Sequence, residues 1–490
     1  MPDKPVRIQL CLVSHTNAGK TTLARTLLGA DVGEVRDAAH VTQTADGHLL
    51  LATGDGDELY LWDTPGFGDS ARLAKRLSMA GNPVGWFLTE VWDRVSDRAF
   101  WLSQRALQAA RDNADVVLYL VNAAEDPQDA GYVAPEMQIL QWLGKPVVVL
   151  LNQMGPPRPA ASEQADVARW AGHVRPYGVV REVVPLDAFA RSWVHERVLF
   201  EAIRASLPAA VQPGYARLAT AWDKRNLERF RQAMDLMARQ LVAAARDTET
   251  VGDASAIRSA LGTLGLTRSA SEAARDKAMG AIAARLSRAG AQVTARLLAL
   301  HGLQGSAAAP LNQRLRENFA FTAPVDVKQA GLLGAIASGA ATGASADLLA
   351  GGLTLGGGML VGAVVGAAAF AGAAWGFNKA KGAAHATARL TDEFLLALVS
   401  ADLLRYLAII HFGRGRGDYV EGEAPAFWRD EVMAVVQARG AALQRIWARA
   451  RDEAEPQPAT AELARVLEDA CLQILRKLYP AAMAATPLAR

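Results

Sequence analysis

One stretch, Leu10 to Arg25, constrains the fold of this chain more than any other. Ile8 to Val13 is a short apolar run that reads as a buried strand. From Thr21 onward, Leu23, Leu27 and Leu28 fall on one face of a helix. Between them lies Ser14-His15-Thr16-Asn17-Ala18-Gly19-Lys20-Thr21, which fits the phosphate-binding spacing G-x-x-x-x-G-K-S/T with Ser14 in place of the first glycine. The N–H groups of such a loop, closed by a helix N-terminus, surround an anion, while the lysine reaches the outer phosphates and the hydroxyl binds Mg²⁺. Gly19 permits the close approach, Lys20 supplies the cation, and Thr21, followed by Thr22, is the metal-side ligand.

The rest of the chain limits what can surround this loop. Its 490 residues suffice for about two or three domains. Lys and Arg number 52 against 50 Asp and Glu, a formal charge of +2, so net charge implies no specific nucleic-acid partner. The two cysteines, Cys11 and Cys471, make no disulfide framework, and Cys11 reads as a small core residue of the first strand. Met1-Pro-Asp-Lys-Pro-Val-Arg7 lacks the apolar core of a secretion signal, so a cytoplasmic location is expected.

Further strands are expected at 48–53 and 58–62, flanking the hairpin signal Gly54-Asp55-Gly56-Asp57, and at 116–121, 147–151 and 179–184. Helix-compatible stretches separate the later strands. This alternation argues for a mostly parallel sheet covered on both faces, with ligands at the strand C-terminal ends. Lys20, Asp63 and Asn152 all fall at such ends.

The order of these motifs resembles the G domain of translation-factor-class P-loop GTPases, particularly the Era-like and septin-like branches. The resemblance covers roughly residues 5–208. Ser14 to Thr21 matches the phosphate loop and Asp63-Thr64-Pro65-Gly66 the D-x-x-G motif. The resemblance implies that Asp63 holds Mg²⁺ through water and that the Gly66 N–H meets the γ-phosphate. It also makes Thr42, with Thr44 as the alternative, the switch threonine that completes the Mg²⁺ shell. GTP and Mg²⁺ are the implied ligands. Asn17 stands where Era-like members carry an asparagine that helps hold K⁺, and a plain turn residue is the competing reading.

The departures from the family are specific. Phe67 follows the D-x-x-G glycine where the Ras type has its water-orienting glutamine, and a phenyl ring cannot orient water by hydrogen bonding. The base-reading motif N-K-x-D becomes Asn152-Gln153-Met154-Gly155, and Gly155 has no side chain to accept a hydrogen bond. Asp187, in Leu186-Asp187-Ala188 after the last strand, is the substitute considered for the missing carboxylate. Guanine is therefore implied by the family and not by these residues. A long route at 68–113, rich in Trp86, Phe87, Trp92, Phe100 and Trp101, reads as packed helix, with an enlarged switch II as the alternative.

Beyond Pro208 the composition turns to alanine, leucine and arginine. Helices are expected at 215–245, 270–300, 394–410, 427–451 and 459–478. The expected architecture is thus an α/β G domain over 1–210 and a mainly α-helical domain over 211–490. Within the latter, 329–378 carries one charge, Asp347, and glycines at four-residue spacing, as at Gly358, Gly362 and Gly366. Its arms of about 18 and about 25 residues approach membrane-spanning length. A membrane-inserted hairpin with a membrane or membrane-protein partner and a buried soluble hairpin are equally consistent with it. Arg414 and Arg416, flanked by glycines, read as a basic loop or as an arginine finger in trans. Two functional classes follow: a GTP-hydrolysing switch or membrane-associated mechanoenzyme, or a non-hydrolysing nucleotide-binding scaffold with relaxed base choice. Homodimerisation stays open.

Overall fold

The computed structural model describes residues 4–29, 45–78, 98–155, 158–188, 192–251, 267–303, 375–378, 386–412 and 426–484. Thr42, Thr44, Trp86, Phe87, Trp92, Arg414, Arg416 and residues 329–374 lie outside them.

The N-terminal part alternates strands and helices in chain order: β1 (Arg7–Ser14), α1 (Lys20–Leu28), β2 (Asp46–Ala52), β3 (Glu58–Asp63), α2 (Ser70–Leu77), α3 (Arg98–Asn113), β4 (Val116–Asn122), α4 (Val133–Leu143), β5 (Val147–Asn152), α5 (Ala160–Val174), β6 (Val180–Pro185) and α6 (Trp193–Ser206). The strands form one sheet in the order β2-β3-β1-β4-β5-β6. Only β2 is antiparallel to its neighbour, because the turn at 54–57 folds it back on β3. The apolar runs are explained by burial on both faces. Ile8, Leu10 and Leu12 join one core with α1 and α6, whereas Cys11 and Val13 join another with α2, α3, α4 and α5. Phe100 is buried in the second core, so this part of the 68–113 route is packed helix.

Contacts divide the chain into two compact units, Met1–Glu228 with Ile410–Val420 and Leu475–Arg490, and Arg229–Ile409 with Glu421–Ile474. The first unit runs past the composition change at 210 because α7 (Gln212–Arg246) begins within it: Tyr215, Leu218 and Trp222 are buried in the first core. Its last pieces include Tyr479 and α13 (Pro480–Ala484), which packs against α6.

The second unit contains the rest of α7, then β7 (Thr248–Val251), α8 (Thr267–Leu300), β8 (Trp375–Asn378), β9 (Ala386–Leu390), α9 (Asp392–Ile410) up to Ile409, α10 (Ala426–Ala438), α11 (Gly440–Asp452) and α12 (Gln457–Leu478) up to Ile474. The region is mainly helical, as expected, with one small addition: β7, β9 and β8 form a three-stranded antiparallel sheet, and the last four residues of the 329–378 stretch are strand β8. One expectation needs correction. The helix expected at 427–451 is two helices, broken at Arg439 (φ −100°, ψ 2°) just before Gly440, whose backbone freedom weakens a helix. Arg246 ties the unit together by donating to the carbonyls of Ala450 and Glu453, each at 2.6 Å, at the C-terminal end of α11. Among the described residues no helix is long and apolar enough to cross a membrane.

Candidate phosphate-binding site

The strand register brings the site residues to one edge of the sheet. Leu12 pairs with Asp63 across β1 and β3, Ser14 with Leu120 across β1 and β4, and Asn122 with Asn152 across β4 and β5. The loop leaving β1 turns through Asn17 (φ 64°) and Gly19 (φ 89°) before α1 begins at Lys20. Asparagine is among the few residues that tolerate this left-handed region, which accounts for Asn17 as a turn residue. Gly19 is needed for space as well: a Cβ there would lie 2.6 Å from Asn152 Nδ2. That amide donates to the Ala18 carbonyl at 2.7 Å, so Asn152 braces the loop from β5.

Lys20 is 7% exposed, and its ammonium donates to Ser14 Oγ at 2.8 Å and to the His15 carbonyl at 3.4 Å. The serine that replaces the first glycine is thus a direct partner of the loop lysine. Burial lowers the Lys20 pKa to about 8, opposed by the charges of Asp63 and Glu136. Ala18 and Thr22 are buried, Thr16 is half-buried and Asn17 exposed.

A second corner forms where β3 ends. Thr21 Oγ1 donates to Asp63 Oδ2 at 2.5 Å, and Thr64 Oγ1 donates to the Leu12 carbonyl at 2.6 Å, fixing the start of the D-x-x-G segment on β1. Asp63 is 3% exposed, and its Oδ1 is buried with no hydrogen-bond partner among the described residues. Burial pushes its carboxyl above the usual range, partly offset by Thr21 and Lys20. A buried carboxylate oxygen with an open lone pair beside a threonine hydroxyl fits a hard divalent cation. Gly66 sits hard against the loop: a Cβ there would be 2.9 Å from Thr16 Cα and 3.1 Å from Lys20 Nζ. Phe67 turns its side chain into the second core, and its N–H donates to the Ser14 carbonyl at 2.9 Å.

On the opposite side, Gln153 (φ 59°) and Gly155 (φ 82°) both take left-handed conformations. Glycine takes that backbone at 155 without steric cost. A carboxylate reaches the same turn from elsewhere: Asp187 Oδ2 accepts from the Met154 N–H at 2.7 Å. Asn152 Oδ1 accepts from the Ala188 N–H at 2.8 Å, and Gln153 Nε2 donates to the Asn17 carbonyl at 3.4 Å. Asn152, Gln153 and Asp187 therefore meet in space, although 33 residues lie between the last two in the chain.

Sequence reasoning missed the group behind the loop. Glu136, on the first turn of α4, is fully buried. Its Oε1 lies 2.8 Å from His15 Nδ1, and its Oε2 accepts from Tyr119 OH at 2.8 Å. The His15 ring stacks on Tyr132 with centroids 4.8 Å apart. The available signal was a lone carboxylate among the core-facing positions Val133, Met137, Ile139 and Leu140, with no motif spacing to connect it to the loop.

Residues 180–480, more than half of the chain, match a family described as a domain of unknown function, DUF3482. The chain belongs to that family. Residues 9–153 match the family described as 50S ribosome-binding GTPase. This DUF3482 member is thus a P-loop G domain followed by a mainly helical extension. No curated protein matches the chain. Among solved structures it is similar to a variant of Era from Aquifex aeolicus bound to GDP·AlF4⁻, at 20% identity over 41% of this chain and 57% of that one, TM-score 0.32. It is also similar to Era in complex with MgGDPNP and a piece of 16S ribosomal RNA, at 19% identity over 42% and 58%, TM-score 0.31. A variant of SsGBP matches at 16% identity over 44% and 57%, TM-score 0.24. The chain spans less than two thirds of the length of each of these structures.

Proposed function

We propose that the G domain of this DUF3482 protein binds GTP with Mg²⁺ and hydrolyses it, the nucleotide state serving as a switch for the helical extension. The observation that carries this reading is the convergence of Lys20, Thr21, Asp63 and Gly66 around the N-terminus of α1. Lys20 and the loop amides would hold the β- and γ-phosphates. Thr21 and Asp63 would hold Mg²⁺, with Thr42 or Thr44 completing its shell; the bound ion neutralises charge developing on the phosphates. The Gly66 N–H would meet the γ-phosphate. Asn152, Gln153 and Asp187 are the base-side residues, with Asp187 supplying the carboxylate that Gly155 lacks. Asn17 would help hold K⁺ beside the phosphates.

A non-hydrolysing scaffold is the second reading, supported by Phe67, whose ring is buried where a water-orienting side chain would be needed. Multiple-turnover phosphate release with GTP, ATP and xanthosine triphosphate, in potassium and in sodium, separates the two. The hydrolase reading expects GTP turnover that rises in potassium and disappears in Lys20→Ala. It also expects Asp187→Ala to cut the preference for GTP over ATP about tenfold or more. Tight binding without turnover would favour the scaffold, and no binding would end both readings. The membrane-associated variant of the switch rests on the sequence pattern of 329–378, and liposome flotation with and without nucleotide tests it.

A further inference from the structure

We propose that Glu136 is a positioning residue of the phosphate loop: its buried carboxylate, held by Tyr119 and bonded to His15, keeps the loop in the conformation that accepts polyphosphate. This rests on the nucleotide-binding reading above. Three elements meet at this one side chain, the loop through His15, β4 through Tyr119 and α4 through Glu136 itself, and both carboxylate oxygens are occupied. A carboxylate with no exposed surface is costly to bury, and an apolar side chain at the same helix position would spare that cost. Stability therefore does not account for it. The neighbouring core positions of α4 are apolar, as its helical period requires.

What the carboxylate controls follows from the backbone of His15. The imidazole is fixed twice, by Glu136 at 2.8 Å and by the stack on Tyr132, with ring planes 21° apart. The carbonyl of the same residue accepts from Lys20 Nζ at 3.4 Å and from Ser14 Oγ at 2.5 Å. His15 also forms a parallel bridge with Phe67, the residue after Gly66. A displacement of His15 thus moves the partners of the loop lysine and the D-x-x-G segment together. Misplacing groups around reacting atoms by about 1 Å costs roughly 100-fold in rate, and each hydrogen bond the displaced groups no longer make to the phosphate costs about 1 kcal/mol or more of binding, about fivefold or more in affinity. In addition, α2 packs against α4, so the helix that follows Gly66 rests on the element that holds His15.

The test uses the full chain and isothermal titration with GTP and with GDP, each with Mg²⁺. Glu136→Gln keeps an acceptor for His15 and a polar partner for Tyr119 while removing the charge. Glu136→Leu removes both bonds, and His15→Phe keeps the ring stack on Tyr132 but loses the bond to Glu136. Glu136→Leu and His15→Phe are expected to weaken nucleotide binding by about tenfold or more, whereas Glu136→Gln stays within about threefold of the parent chain. Glu136→Leu leaves the buried Tyr119 hydroxyl without its acceptor, so it is also combined with Tyr119→Phe, and the melting temperature of that pair is expected to be equal to or above that of the parent, with nucleotide binding weakened as in Glu136→Leu alone. Affinity and stability then move in opposite directions, which a merely structural role would not produce. Unchanged affinity in Glu136→Leu and His15→Phe, with the parent chain binding normally, overturns this inference alone. A glutamine variant as weak as the leucine variant overturns positioning by hydrogen bonds. No binding by the parent chain removes the nucleotide reading, and this inference with it.

Discussion

A single methyl group at residue 66 is a sharp probe of the loop. The Cβ of alanine there would stand 2.9 Å from Thr16 Cα, and a backbone atom cannot swing aside as a side-chain tip can. The phosphate loop itself would have to move, carrying Lys20 with it. Gly66→Ala is therefore expected to weaken nucleotide binding tenfold or more (roughly), measured by titration with GDP and GTP. Gly155→Ala is the informative contrast. Among the described residues no atom beyond its chain neighbours lies within 4 Å of a Cβ at 155, but φ is 82°, so backbone strain is the expected consequence. Its expected cost is about 1 kcal/mol of stability, seen as a lower urea midpoint, with nucleotide affinity retained.

Secondary-structure elements are locked by a few long-range polar contacts. Asp57, in the β2–β3 turn, is fully buried and accepts both arms of Arg217 from α7 at 2.7 Å. It also accepts from the Val6 N–H at 3.1 Å and from Thr53 Oγ1 at 2.9 Å. Chiefly through Arg217, the Asp57 carboxyl is held below its usual range. Arg217→Leu leaves this carboxylate buried with its strongest partner gone, at an expected cost of about 3 kcal/mol in denaturant unfolding. The sign with pH follows from the lowered pKa. The stabilisation is present above the unfolded value of 3.8 and is lost as pH falls through the folded one. The gap between parent and variant should therefore close in acid.

For the whole molecule, mild acid is the informative perturbation, because a buried histidine lies in the second unit. His301 Nε2 is buried with no hydrogen-bond partner among the described residues, and burial, helped by the Arg229 charge, lowers its pKa to about 4. The unfolded chain, with a value near 6.5, binds the proton first as pH falls. Stability is thus lost between about pH 6.5 and pH 4, by about 2 kcal/mol from pH 7 to pH 5. His301→Phe, which keeps a ring beside Tyr406, should flatten that limb of the midpoint-against-pH curve.

Residues close in sequence determined most of the architecture by themselves. Runs such as Val116–Val121 can be buried only between two helical layers, and the strand-loop-helix at Leu10–Arg25 dictates its own geometry through Gly19 and the start of α1. The small sheet of the second unit was not legible, because β7 is four residues long and pairs with β9 across more than a hundred intervening residues. Short strands carry too little pattern to declare themselves without their partners. Asp187 was nominated by its place after the last strand, but the contacts that join the site were not legible. That Asp187 meets Met154, that Arg217 meets Asp57, and that Glu136 sits behind His15 are matters of sheet register and helix packing, and no local propensity encodes them. The sequence by itself determined which groups offer phosphate chemistry; only the tertiary structure decided which buried charges hold them in place.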